Sequence, residues 1–184
     1  DYFFCDRFHL RQGEFNAQFT EKIVYLPAGA PYQQMYKTPP VNTLPSLKNG
    51  YVTFGSFNRS NKLGRPVVTL WSQLLRALPS SRLLLGGMPK VRDFDWLIDW
   101  FAQEGISSER LSFHRRCNVE AYLDLHHEVD ICLDTFPYGG GTTSCHALWM
   151  GLPTLTLAGQ TMPSRVGACL QSHVDLADFV CHHE

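Results

Sequence analysis

The chain has 184 residues, and its 16 Lys and Arg against 17 Asp and Glu give a formal net charge of -1 with the eight histidines neutral. That balance leaves no basic excess for a phosphate backbone and excludes a nucleic-acid partner, while 44% hydrophobic and 18% charged residues exclude a disordered chain. No apolar run approaches the ~18 residues of a membrane-spanning helix, so no membrane partner is expected. The chain opens at Asp1 and closes on Val180-Cys181-His182-His183-Glu184, which reads as an excised fragment. Its six cysteines stand singly, without a disulfide framework or a C-x-x-C knuckle, and fit a reducing cytoplasm.

The first 50 residues differ from the rest. Lys22-Ile23-Val24-Tyr25-Leu26 predicts a strand with no evident partner within the chain, and residues 1–4 resemble the tail of another. Residues 1–27 therefore read as the end of a preceding domain. Pro27, Pro31, Pro39, Pro40 and Pro45 then interrupt every helix, so residues 28–49 are expected to loop across another surface.

From Tyr51 the pattern turns regular. Apolar runs at 51–54, 82–85, 111–113, 130–133 and 154–157 alternate with segments of helical period, the signature of a parallel sheet with crossover helices. Pro66 suits a first helical turn, and Val67, Leu70, Trp71, Leu74, Leu75 and Leu78 form a stripe that Pro79 ends. Phe94, Leu97, Ile98 and Phe101 make a second stripe, closed by Gly105. Ala121 and Leu125 belong to a third helix with His126 and His127 on its exposed part, and 143–150 forms a fourth, in which Cys145 and Trp149 read as core. The expected fold is a Rossmann-like doubly wound α/β sheet over 51–184, whose ligands bind beyond the carboxyl ends of the strands.

Three loops at those ends carry candidate chemistry. In Asp134-Thr135-Phe136-Pro137-Tyr138-Gly139-Gly140-Gly141-Thr142-Thr143-Ser144, Gly140 and Gly141 permit close backbone approach, and Thr142 and Thr143 add hydroxyls and helix-start N–H groups. Together these make a phosphate cradle; read more plainly, the glycines only turn the chain and a threonine caps the helix. Asn58, Arg59 and Lys62 leave the first strand of the sheet and can place two positive charges on the same diphosphate. In the third loop, Cys117 offers backbone groups to a base edge, and Tyr122 either stacks on the base or fills the core. His146 either binds a ribose or sugar hydroxyl or is satisfied inside the fold, and Arg165 is a further anion contact. No metal role is expected for the histidines near Cys117, and Asp130 and Asp134 bracket a strand without forming a D-x-D motif.

These loops, with Leu133-Asp134-Thr135-Phe136-Pro137-Tyr138, Ala147-Leu148-Trp149-Met150-Gly151-Leu152-Pro153 and Ser164-Arg165-Val166-Gly167-Ala168, resemble the C-terminal catalytic region of the O-linked N-acetylglucosamine transferase family, which includes the SPINDLY-type O-fucosyltransferases. The resemblance implies the donor-binding half of a GT-B inverting glycosyltransferase that needs no metal or other cofactor. It further implies tetratricopeptide repeats that recruit a protein acceptor and a donor that is usually UDP-N-acetylglucosamine. Lys62 then matches the lysine that contacts the diphosphate and stabilises the leaving group, Arg59 a glutamine beside it, Thr142 and Thr143 the threonines at the phosphates, and Tyr122 a histidine that stacks on uracil. The chain departs from the family at Gly141, where some members have histidine, at His146, where many have an acid that binds the ribose, and at Val119, which replaces a lysine. The alternatives left open are a GDP-fucose donor and a nonenzymatic nucleotide-binding module. The family's candidate catalytic histidine belongs to the preceding domain, so the fragment alone is expected to be inactive.

Overall fold

A computed structural model describes residues 1–28, 32–34, 36–89 and 94–183. The strands are β1 (Tyr2–Cys5), β2 (Lys22–Tyr25), β3 (Thr53–Ser56), β4 (Arg82–Met88), β5 (Leu111–Arg115), β6 (Ile131–Leu133), β7 (Thr154–Leu157) and β8 (Val180–Cys181). The helices are α1 (Pro45–Asn49), α2 (Arg65–Ala77), α3 (Asp95–Gln103), α4 (Val119–Asp124), α5 (Thr142–Trp149) and α6 (Val166–His173).

Six strands form one parallel sheet in the order β5-β4-β3-β6-β7-β8. The chain winds outward from β3 in one direction and from β6 in the other, so the order reverses between these two strands. The five expected runs are all strands, and Val180–Cys181 adds a sixth at the edge beside β7.

Alternation along the strands divides the core between two faces. Phe54, Leu83, Leu85 and Leu133 turn to one side and meet Val67, Trp71 and Leu75 of α2 and Leu97 and Phe101 of α3. Leu84, Cys132 and Phe57 turn to the other and meet Ala147 of α5 and Leu152. Each helical stripe thus finds a sheet face. Pro66 stands in the first turn of α2, and Gly105 follows α3 at φ +79°, a left-handed position that favours glycine.

Five expectations from the first 50 residues and the third and fourth helices are corrected. The strand at Lys22–Tyr25 has a partner within the chain, because β1 and β2 pair in parallel with Tyr2 opposite Lys22 and Cys5 opposite Tyr25. Pro45 starts a helix instead of preventing one, since proline lacks only an N–H that a first turn leaves unused. His126 is buried at 1% exposure, stacked 3.8 Å from the Phe57 ring, because it falls one turn after Tyr122 and shares its inward face. Trp149 is 50% exposed; it lies beneath the incoming segment, with its indole N–H donating to Thr38 Oγ1 at 3.3 Å. That segment crosses the sheet domain itself, where His127 Nε2 donates to the Pro40 carbonyl and Asn42 Nδ2 to the His127 carbonyl. No helix among the described residues is long and apolar enough to cross a membrane.

Candidate functional site

The loops that leave β3 and β6 meet above the reversal point of the sheet. Between them opens a cleft of about 860 Å³, lined by Asn58, Arg59, Lys62, Gly141, Thr142 and Thr143, with Phe136, Pro137 and Tyr138 as its apolar wall. That size suits a small-molecule ligand. A cavity of about 580 Å³ lies at the opposite, amino end of the strands, around Asn42, Lys48, Tyr51 and Arg82, away from every candidate residue.

Asp134 organises the cleft from behind. It directly follows β6 at 5% exposure, and its Oδ1 accepts from the Thr135 N–H at 2.9 Å, the Gly140 N–H at 2.6 Å and the Asn58 side-chain amide at 3.1 Å. Its Oδ2 accepts from Thr156 Oγ1 at 2.9 Å. Burial raises the Asp134 carboxyl above the usual carboxylate range, and these four hydrogen bonds pull it back. The loop must curl tightly around this group. A Cβ at Gly139 would stand 2.7 Å from Asp134 Oδ2, and one at Gly140 would collide with the Ser144 and Thr143 hydroxyls. The glycines are therefore dictated by contact with Asp134 and the start of α5. The sequence pointed to the loop but missed its organiser, for which the available signal was an Asp on a strand end just before a run of glycines.

The predicted residues divide accordingly. Lys62 reaches across the cleft; its Nζ donates to the Gly139 carbonyl at 2.7 Å and lies 4.2 Å from the Tyr138 ring centroid. Burial lowers the Lys62 pKa from its ordinary value, Asp134 opposes that and Arg59 adds to it. Arg59 is exposed at the rim. Asn58 is buried and faces the fold, bonding Asp134 through its amide and accepting from Thr143 Oγ1 at 3.2 Å, so it braces the cleft floor. Gly140, expected to let the backbone approach the ligand, commits its N–H to Asp134 and is not among the residues lining the cleft. The helix start supplies what remains. α5 begins at Thr142 with no side-chain cap, and the N–H groups of its first turn, which belongs to the cleft-lining Thr142 and Thr143, have no acceptor within the helix.

Cys117, Tyr122, His146 and Arg165 do not line this cleft. Cys117 is exposed before α4. Tyr122 hydrogen-bonds His146, with phenol oxygen and Nδ1 3.2 Å apart, and its ring meets those of Phe57 and His126 edge-on at 5.6 and 4.9 Å. Burial pushes the Tyr122 phenol up and His146 down, so the phenol O–H donates to the imidazole. Arg165 is corrected most plainly. At 7% exposure it is turned toward the β1–β2 lobe, with Nε donating to the Phe8 carbonyl at 3.2 Å and Nη1 forming an ion pair with Glu14 Oε2 at 4.0 Å.

The pattern described as glycosyl transferase family 41 matches residues 41–184. A protein named probable UDP-N-acetylglucosamine–peptide N-acetylglucosaminyltransferase SPINDLY from Arabidopsis thaliana is 38% identical over 79% of this chain and 16% of its own length. A barley protein of the same name is 34% identical over 92% of the chain and 18% of its own length. A solved O-GlcNAc transferase variant from Thermobaculum terrenum superposes with a TM-score of 0.83 at 30% identity, covering the whole chain and 35% of that protein. The chain thus spans less than a fifth of the length of these plant relatives.

Proposed function

Because the chain belongs to glycosyl transferase family 41 and folds as the C-terminal Rossmann-like half of a GT-B architecture, we propose that its cleft holds the diphosphate of a nucleotide sugar. The carrying observation is convergence. Lys62, Arg59 and the uncapped start of α5 face one cavity at the point where the strand order reverses, where open α/β sheets bind their ligands. The donor is UDP-N-acetylglucosamine, the sugar nucleotide in the names of the plant relatives, and the acceptor is a protein hydroxyl. Residues 1–50 then close a preceding catalytic domain and connect it to this one, and the whole protein works in the cytoplasm.

The chemistry follows from charge. As the sugar–oxygen bond breaks, the departing diphosphate gains negative charge, and groups already aimed at it lower the barrier without reorganising. Lys62 and Arg59 supply full positive charges there, and the first turn of α5 supplies N–H donors. No metal is needed for this step. Tyr122 and His146, joined by their hydrogen bond and outside the cleft lining, are assigned to the base and ribose.

Calorimetric titration of the chain with uridine diphosphate, guanosine diphosphate and inorganic phosphate, in chelator, tests this reading. The expected result is uridine-selective binding that survives the chelator. Preference for guanosine would replace the donor with a GDP-sugar, and a longer protein spanning both Rossmann domains that binds neither nucleotide would refute the assignment.

A further inference from the structure

Where α6 meets the β1–β2 lobe, three chemically different donors converge. Asp6 follows β1, and Cys169 and His173 stand one turn apart on α6, the spacing that puts two side chains on one helical face. Cys169 Sγ lies 3.1 Å from Asp6 Oδ2, and His173 Nε2 lies 3.4 Å from the same oxygen. All three donor atoms fall within 4.8 Å of one another. In a tetrahedral zinc site with bonds of 2.0–2.3 Å, donors are spaced about 3.3–3.8 Å apart, so only small movements separate this cluster from such a site.

The surroundings are prepared as well. The Phe8 and His9 N–H groups donate to Asp6 Oδ1 at 2.8 and 2.9 Å, which aims Oδ2 at Cys169 and His173, the kind of support that orients a metal-binding carboxylate. The Phe8 ring meets the His173 imidazole edge-on at 5.0 Å and fixes its plane. His173 Nε2 is buried with no hydrogen-bond partner, although a carboxylate stands beside it. Burial and Asp6 push the Cys169 thiol up to about 12 against the opposing charge of Arg165, so the group is S–H.

We propose that Asp6, Cys169 and His173 bind a zinc-class divalent cation that fastens the β1–β2 lobe to the sheet domain. Thiolate, imidazole and carboxylate together suit zinc over magnesium or calcium, which take oxygen ligands. On binding, the Cys169 S–H bond breaks, its proton leaves to solvent and a sulfur–metal bond forms. His173 gives the Nε2 lone pair, with its ring proton on Nδ1, and Asp6 gives Oδ2. Three protein ligands leave the fourth position to a water molecule. The ion's role is to fasten the lobe, and the inference stands whether or not the cleft binds a nucleotide sugar.

The test titrates the metal-free chain with zinc(II) by calorimetry and with cobalt(II) by absorbance, alongside Cys169→Ser and His173→Gln variants checked for folding by circular dichroism. Expected are one tight equivalent of zinc, a raised Tm, and a thiolate-to-cobalt charge-transfer band. Cys169→Ser should abolish the band and weaken zinc binding by about 100-fold or more, and His173→Gln by at least tenfold. Absence of the band in the unmutated chain would overturn the proposal. So would zinc isotherms unchanged in both variants, which would place bound zinc on the exposed His182 and His183.

Discussion

Asp134 and Asp6 are both fully buried carboxylates that gather backbone N–H groups, yet the cations beside them are left in opposite states. Around Asp134, Lys62 and Arg59 stay on the wall of an open cleft, and Lys62 is held by the Gly139 carbonyl and the Tyr138 ring. Near Asp6, Arg165 is enclosed at 7% exposure and committed to the Phe8 carbonyl and Glu14. Both regions follow strand ends and both contain a basic residue, but one leaves its cations on an open wall and the other encloses its cation between two parts of the chain. Position on the sheet decides the difference. The cleft lies at the reversal between β3 and β6, whereas Arg165 follows β7, where the β1–β2 lobe meets residues 162–165 and α6.

The contrast can be broken at several points. Asp134→Ala removes the acceptor of four hydrogen bonds and strands buried donors at a cost of about 3 kcal/mol or more. Calorimetric melting should show a Tm lower by about 6–12 °C, and a change below about 2 °C would mean that the loop holds its shape without Asp134.

A third buried ionisable group is His126, whose pKa burial lowers to about 4. The unfolded chain, with its histidine near 6.5, takes up this proton first as pH falls. Stability contributed by neutral His126 is therefore fully present above about pH 6.5 and is lost progressively toward pH 4, by about 3 kcal/mol in all. Urea denaturation should show His126→Phe losing less stability than the parent between pH 7 and 4.5; parallel losses would mean that His126 titrates normally.

Lys62→Ala in the full-length enzyme should reduce turnover by on the order of 10²-fold while leaving the fold intact. Unchanged turnover would remove Lys62 from charge stabilisation. Arg165→Ala should have the smallest effect on ligand, with nucleotide affinity within about twofold of the parent by the same titration. A tenfold loss there would restore Arg165 as an anion contact and erase the contrast between the two regions.

The sheet was legible because its strands are short, apolar and separated by stripes such as Val67, Trp71 and Leu75, whose spacing reports a buried helix face. The cleft was legible through Lys62, Thr142 and Thr143, since loops at the carboxyl ends of parallel strands converge. What could not be read were contacts between residues far apart in sequence. The pairing of β1 with β2 depends on how the intervening chain returns, and the exposure of Trp149 depends on which segment crosses it. His126 shows a different failure. Its polarity suggested solvent, whereas its place one turn after Tyr122 put it against Phe57, where a neutral imidazole donates from Nδ1 to the Tyr122 carbonyl at 3.0 Å. Periodicity was the better guide.

The segment around Thr38, Pro40 and Asn42 is the covalent tether between lobe and sheet domain, and it keeps residues separated by 157 positions, such as Phe8 and Arg165, in contact. A covalent tether presents its two ends to each other at an effective concentration in the millimolar range. A single proteolytic cut after the exposed Lys37 would leave every docking contact chemically intact, yet turn an intramolecular association into one that depends on dilution. Micromolar samples of the nicked protein would then separate into two pieces unless the seam between β1–β2 and α6 binds tightly enough by itself.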